Sequence, residues 1–205
     1  MIAEPTVIKP WDSRLALCLI RPLRDTWVHP NHITTASLLA GLSAAALFAS
    51  GSRAAANWAG ALSVLAAFLD HADGELARLA DKASAFGQTY DRIADLVTRV
   101  TLFLSIGLGL RHGTLGNWAV VCGVLSAASL VLIFALRSDM ARRDVPGALD
   151  QPSAAGFDLG DVLYVIAPLA WFGWLAPFIV GAGAGAPVFC WWTGRQYQRS
   201  YAPRA

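Results

Sequence analysis

Charge is scarce in this sequence. Only 15% of its 205 residues are Asp, Glu, Lys or Arg, against roughly 25% in ordinary soluble domains. The net charge of +2 offers no basic surface, so no nucleic-acid partner is expected. Cysteine is scarce as well. Cys18, Cys122 and Cys190 stand far apart and form no CxxC pair, which argues against a disulfide framework or a cysteine-only metal site. Residues 1–25 carry charges of both signs and no early apolar run, so no secretory leader is expected. What the chain has instead is hydrophobicity. It is 56% apolar with a mean hydropathy of +0.48, the balance of an integral membrane protein.

A spanning helix needs about 20 mainly apolar residues. Ile33–Ser50 meets that requirement, with no formal charge between Asp25 and Arg53. A second span is expected over 55–80, a third over Gly87–Leu110 and a fourth over His112–Leu136. Val162–Gly194 is 33 residues without a charge. That is too long for one straight span, and Gly173 and Pro177 near its middle predict two helices, 158–173 and 176–194, joined by a tight turn. The expected fold is all-α, a bundle of six transmembrane helices in one domain covering 1–205. Residues 29–195 form the bundle and 196–205 a cytoplasmic tail. Residues 1–28 hold Trp11, Leu15, Leu17, Leu19 and Ile20 among Arg14, Arg21 and Arg24, the pattern of an amphipathic helix on the membrane surface. With the N-terminus cytoplasmic, twelve basic residues fall on that side, and only Arg53 and Arg111 fall on the other. The positive-inside rule therefore puts both termini in the cytoplasm, and the expected location is a bacterial inner membrane. GAGAGA at 181–186 reads as close helix packing by small residues.

The second and third spans carry acids at one membrane edge: Asp70, Asp73, Asp91 and Asp95. On a helix turning about 100° per residue, with Asp70 at zero, Asp73 falls at about 300°, Gly74 at about 40° and Ala77 at about 340°. Two carboxylates thus share a face with two minimal side chains. Gly87, Asp91 and Asp95 share a face on the next helix in the same way. As antiparallel neighbours, the two helices are expected to bring these faces together as one acidic cup. A like-charge pair near contact costs on the order of 4 kcal/mol at a partly shielded site. The cup therefore calls for cations, and an all-oxygen ligand set favours hard divalent ions such as Mg²⁺, Mn²⁺ or Ca²⁺. Arg78, at the membrane edge, is placed to neutralise a phosphate. Metal-binding carboxylates, a bare backbone strip and an arginine suit a diphosphate substrate. Glu75 and His71 point elsewhere, to headgroups or interhelical contacts.

Asp70, Asp73, Gly74, Ala77, Arg78, Gly87, Asp91 and Asp95 reproduce without departure the pattern D-x2-D-G-x2-A-R-x8-G-x3-D-x3-D. By these residues the chain resembles the CDP-alcohol phosphotransferase family. "HPNHIT" at 29–34 is similar to the Pro-Asn-x-hydrophobic-Thr stretch that precedes the family's first span. The resemblance implies that Asp70, Asp73, Asp91 and Asp95 bind two divalent ions, Mg²⁺ or Mn²⁺, which hold the diphosphate of a CDP-linked donor. It implies that Asp70, Asp73, Gly74, Ala77, Arg78 and Gly87 contact the nucleotide, that Asp95 is the catalytic base, and that the protein is a homodimer. The expected reaction moves a phosphatidyl group from a CDP-linked lipid, first of all CDP-diacylglycerol, to the hydroxyl of a polar acceptor, with release of CMP. Lys82, Arg137, Arg142 and Arg143 are the candidates to bind a phosphorylated acceptor such as inositol phosphate or glycerol phosphate. The arginines also read as membrane anchors, and Lys82 as an ordinary loop charge. A CDP-ethanolamine or CDP-choline enzyme acting on a diradylglycerol stays open. So does divalent-cation transport, although transporters place such charges near the bilayer midplane rather than at one edge.

Overall fold

The computed structural model describes residues 17–18, 20–143, 145 and 162–201. Six helices follow in order: α1 Pro30–Ala49, α2 Arg53–Leu79, α3 Ala85–Gly109, α4 Asn117–Arg142, α5 Val162–Trp171 and α6 Leu175–Tyr201. No strand occurs among the described residues. Each helix starts and stops for a local reason. His29 caps α1 through Nδ1, which accepts from the Asn31 amide, and Pro30 fills the first helical position, where no amide is needed. The α1–α2 turn passes through Gly51 at φ 70°, a conformation that favours glycine. Asp81 takes the left-handed conformation just past α2, at φ 52°, and stops that helix. Ser84 then caps α3 by accepting from the Gly87 amide at 3.0 Å. The tight turn expected between the last two helices is present, at Gly173 with φ 75°.

The packing departs from expectation at the acidic helices. α1 packs along both α2 and α3, α4 along α3 and α6, and α5 along α2. The two acidic helices are therefore not direct neighbours; α1 is wedged between them. Its small residues allow this. A Cβ on Gly41 would meet the Thr98 methyl of α3 at 2.5 Å, and Ser37 Oγ donates to the Ala66 carbonyl of α2 at 2.8 Å. Small residues and interhelical hydrogen bonds hold membrane helices together, whereas direct α2–α3 packing would press carboxylates against one another.

Four helices are long and apolar enough to cross a membrane: α1, α3 with its 3-10 extension, α4 and α6. α2 has the length, at 27 residues, but carries Asp70, Asp73, Glu75 and Arg78. The described part of α5 is 10 residues, about 15 Å of rise against a hydrocarbon core of about 30 Å. Six helices are present among the described residues, and four of them qualify as spans by length and composition. Residues 158–161 and most of the N-terminal surface segment 1–28 lie outside the described residues. Of that segment, Arg21–Leu23 forms a single 3-10 turn. Ile20 is buried against Ile33, Ala72 and Leu76, so it packs on the bundle beneath the acidic motif. α6 runs on to Tyr201, into the stretch 196–205 expected as a tail, and α4 extends past Leu136 to carry Arg137 and Arg142 on the helix. At the end opposite the motif, Trp58, Trp118, Trp171 and Trp174 are exposed around Arg53, as an interfacial aromatic belt would be.

Candidate active site

Three strands of chemistry meet where α1 and α3 begin and α2 ends. Asp73 is buried, and Thr34 of α1 donates its hydroxyl hydrogen to Asp73 Oδ2. Asp73 also takes a backbone hydrogen bond from Gly74. Asp70 lies within electrostatic reach of Asp73, Asp91, Asp95 and Arg99. Arg99 Nε sits 2.8 Å from Asp95 Oδ1, one turn along α3. All four aspartates predicted from the sequence therefore occupy one neighbourhood, across the gap that α1 holds open.

Two cavities flank the aspartates. The first, about 260 Å³, has Asp73, Gly74, Ala77 and Arg78 on one wall, Gly87 and Asp91 on the other, and Asn31 and Thr34 of α1 between them. The bare backbone strips expected at Gly74 and Gly87 do face this space. A side chain at Gly87 would meet Asn31 Oδ1 and Ser84 Oγ at 3.0 Å. The second cavity, about 330 Å³, is lined by Asp95, Arg92, Arg99, Arg137 and Ser138 at its polar end and by Leu130, Ile133 and Phe189 beyond. Asp91 opens on the first space and Asp95 on the second. The arrangement places a polar slot and a cationic slot on either side of one row of carboxylates.

The residues proposed for an acceptor separate. Arg137 reaches the second cavity, its guanidinium 5.6 Å from the centroid of the Phe189 ring. Lys82 lies in the first cavity instead, where it donates to the Thr26 and Val28 carbonyls at 3.0 and 3.1 Å and ties down the approach to α1. Arg143 turns outward to Asp139 at 2.9 Å. Arg142 is exposed and lines neither cavity. Once α4 extends to Arg142, these two arginines stand more than a turn beyond the cavity. Arg78 pairs with the buried Glu75 at 2.9 Å and still borders the first cavity. His71 bonds the Ala67 carbonyl and packs against Tyr164 of α5, an interhelical contact as expected. Arg92 and Arg99, which the sequence alone does not single out, also line the second cavity. The available signal was an arginine four residues after Asp95, on the same helix face.

The donor set can be tested against a divalent ion. Among the described residues no group of three His, Cys, Asp or Glu side chains is gathered closely enough to hold one as it stands. Two observations nevertheless fit a cation. Asp91 Oδ1 is buried with no hydrogen-bond partner among the described residues, a costly state unless something else satisfies it. Asp70, Asp73, Asp91 and Asp95 also stand within mutual electrostatic reach, an arrangement that a cation among them relieves. All-oxygen donors suit Mg²⁺ or Mn²⁺.

Comparison with known proteins agrees with this geometry. The family model for CDP-alcohol phosphatidyltransferases matches residues 27–192. The chain belongs to that family, and four of the helices among its described residues are long and apolar enough to cross a membrane. Among its relatives is Cholinephosphotransferase 1 of Gallus gallus, 31% identical over 128 residues, which is 58% of this chain and 38% of the relative. Cholinephosphotransferase 1 of Danio rerio is 33% identical over 108 residues, 48% of this chain and 28% of the relative. The chain thus spans less than two-fifths of the length of the relatives it matches.

Proposed function

We propose that this protein transfers a phosphatidyl group from CDP-diacylglycerol to the hydroxyl of a phosphorylated polyol, with release of CMP, at the cytoplasmic face of a membrane. The observation that carries the reading is the pairing of the two cavities across the aspartates. The nucleotide fits the slot of Gly74, Ala77 and Gly87, whose own side chains are minimal and where Asn31 and Arg78 supply polar contacts. Asp70, Asp73, Asp91 and Asp95 would hold Mg²⁺ or Mn²⁺, which, when bound, neutralises the diphosphate and the charge that develops on the leaving group. Arg92, Arg99 and Arg137 make the second slot a place for an anionic acceptor. Asp95 faces that slot and takes the proton of the acceptor hydroxyl. The hydroxyl oxygen bonds to the lipid-side phosphorus, the diphosphate P–O bond breaks, and CMP leaves with the electron pair. Arg99 orients Asp95 for this step. A homodimer and a single domain over the whole chain complete the proposal.

A second reading is favoured by the cholinephosphotransferase relatives: CDP-choline or CDP-ethanolamine as donor and a diradylglycerol as acceptor. Three arginines beside Asp95 suit a cationic headgroup less well than an anionic one, which ranks this reading second. The test is CMP release by purified protein in nanodiscs with Mg²⁺ or Mn²⁺. CDP-diacylglycerol is supplied with inositol phosphate, glycerol phosphate, inositol or serine, and CDP-choline or CDP-ethanolamine with diacylglycerol. Release with CDP-diacylglycerol and one phosphorylated acceptor, lost in Asp95→Asn, is the expected result. Release from the CDP-choline arm alone establishes the second reading. No release from any arm, with metal flux into vesicles, makes the protein a cation transporter.

A further inference from the structure

The GAGAGA stretch of α6 does two different jobs. Gly183 packs on α4, where an added Cβ would meet Cys122 Cβ at 2.7 Å. Gly181 and Gly185 face the other way, and a Cβ on either would meet no atom within 4 Å. They form part of the floor of a third cavity of about 470 Å³, which is lined almost wholly by carbon. With Gly185 at zero on a helix of about 100° per residue, Phe178 lies at about 20°, Phe189 at about 40° and Gly181 at about 320°. The glycines therefore sit in the middle of the face that lines this space. Gly185 is exposed because nothing on its own helix covers it.

The cavity is not isolated. It shares Arg99, Leu130, Ile133 and Phe189 with the cationic cavity beside Asp95. From Phe189 at that junction the groove follows α6 down to Pro177, about 18 Å at about 1.5 Å of rise per residue. Gly185 lies about 6 Å and Gly181 about 12 Å from Phe189 on the same measure. A long apolar groove that opens on the cavity beside Asp95 and runs to the start of α6 has the shape of a hydrocarbon chain.

We propose that this groove holds one acyl chain of the diacyl substrate, and that Gly185 and Gly181 are specificity-determining residues that keep it open to long chains. The proposal rests on the function proposed above, and it holds whether the chains enter on the CDP-linked donor or on a diacylglycerol acceptor. A leucine at either position fills open space and leaves helix packing intact, so the variants fold. The obstruction depends on distance from the mouth. Gly185→Leu blocks early and Gly181→Leu blocks late.

The experiment measures CMP release with dioctanoyl and dioleoyl forms of whichever diacyl substrate the wild type uses. Gly181→Leu, about 12 Å from the mouth, is expected to lower kcat/KM for the dioleoyl form by about tenfold or more, the scale on which a filled apolar pocket discriminates. It leaves the dioctanoyl form, whose eight-carbon chains end short of it, within about twofold, whereas Gly185→Leu lowers both forms. Equal loss with both chain lengths in Gly181→Leu, or no loss in variants that unfold at the wild-type temperature, overturns the proposal. The companion measurement is retention of CDP-dioleoylglycerol against CDP-dioctanoylglycerol by EDTA-treated protein in native mass spectrometry. If no donor is turned over by the wild type, the proposed function fails. The retention assay then decides the groove by itself: loss of dioleoyl preference in Gly181→Leu supports it, and unchanged preference refutes it.

Discussion

Thr34→Val removes one hydrogen atom donor and keeps nearly the same volume. Thr34 is 2% exposed, and its hydroxyl gives its hydrogen to Asp73 while lying 3.3 Å from the Pro30 carbonyl. The carbonyl is not orphaned by the change, because a helix carbonyl keeps its main-chain donor. Asp73 does lose a partner. A hydrogen bond to a charged group contributes about 1.5–3 kcal/mol. The backbone hydrogen bond from Gly74 remains, so the lower end applies, about 1.5 kcal/mol, or roughly tenfold in an equilibrium or rate. The assay is CMP release titrated with Mg²⁺ or Mn²⁺ and with the CDP-linked donor. Half-saturation by metal and by donor is expected to rise about tenfold, and the unfolding temperature in detergent to fall by about 3–6 °C. Thr34→Ser restores the hydroxyl and is expected to recover most of both. If the valine variant stays within about twofold of wild type in both titrations, the α1 wedge does not position Asp73. If serine fails as badly as valine, the methyl group and not the hydrogen bond is what matters.

Asp95→Asn is expected to reduce CMP release by about 10²-fold or more, as loss of a general base does, while circular dichroism still shows a folded helical protein. The Arg99–Asp95 pair is part buried, at 18% and 26% exposure, between the exposed and buried limits. Arg99→Leu is therefore expected to cost about 2 kcal/mol, some thirtyfold in kcat, whereas Arg142→Gln, which lines neither cavity, leaves kcat unchanged. Steady-state kinetics of the two variants side by side checks this. Chelation by EDTA is expected to abolish CMP release, and added Mg²⁺ or Mn²⁺ to restore it without refolding, as followed by circular dichroism. A Cβ on Gly123 would meet the Phe103 carbonyl at 2.6 Å, so Gly123→Leu must push α3 and α4 apart. Its unfolding temperature should drop by about 5 °C or more, in line with overpacking costs of 1–3 kcal/mol, and an unchanged value would refute the close α3–α4 crossing.

Much of this protein is written in local order along the chain. Apolar runs bounded by His29, Gly51, Ser84 and Gly173 fix where helices start and turn, because caps and left-handed turns depend on a few adjacent residues. The helical period alone puts Asp73, Gly74 and Ala77 on one face and Gly87 and Asp91 on another, and both faces do line the same cavity. Element ends were less legible. α4 and α6 continue past the last apolar residue, since a helix does not stop where the lipid does. Which helices touch was not legible at all. The sequence suggests that two adjacent acidic helices meet, yet α1 stands between them, because Gly41 and Ser37 fit surfaces far along the chain. Thr34 meets Asp73 across 39 residues, and Arg99 meets Arg137 from different helices in one cavity. The sequence by itself determined the helices, the aspartates and the faces they share, all set by spacing within one helix. Only the tertiary structure decided which arginines reach Asp95 and which turn away to the surface, because that depends on how whole helices pack, and on where each one ends.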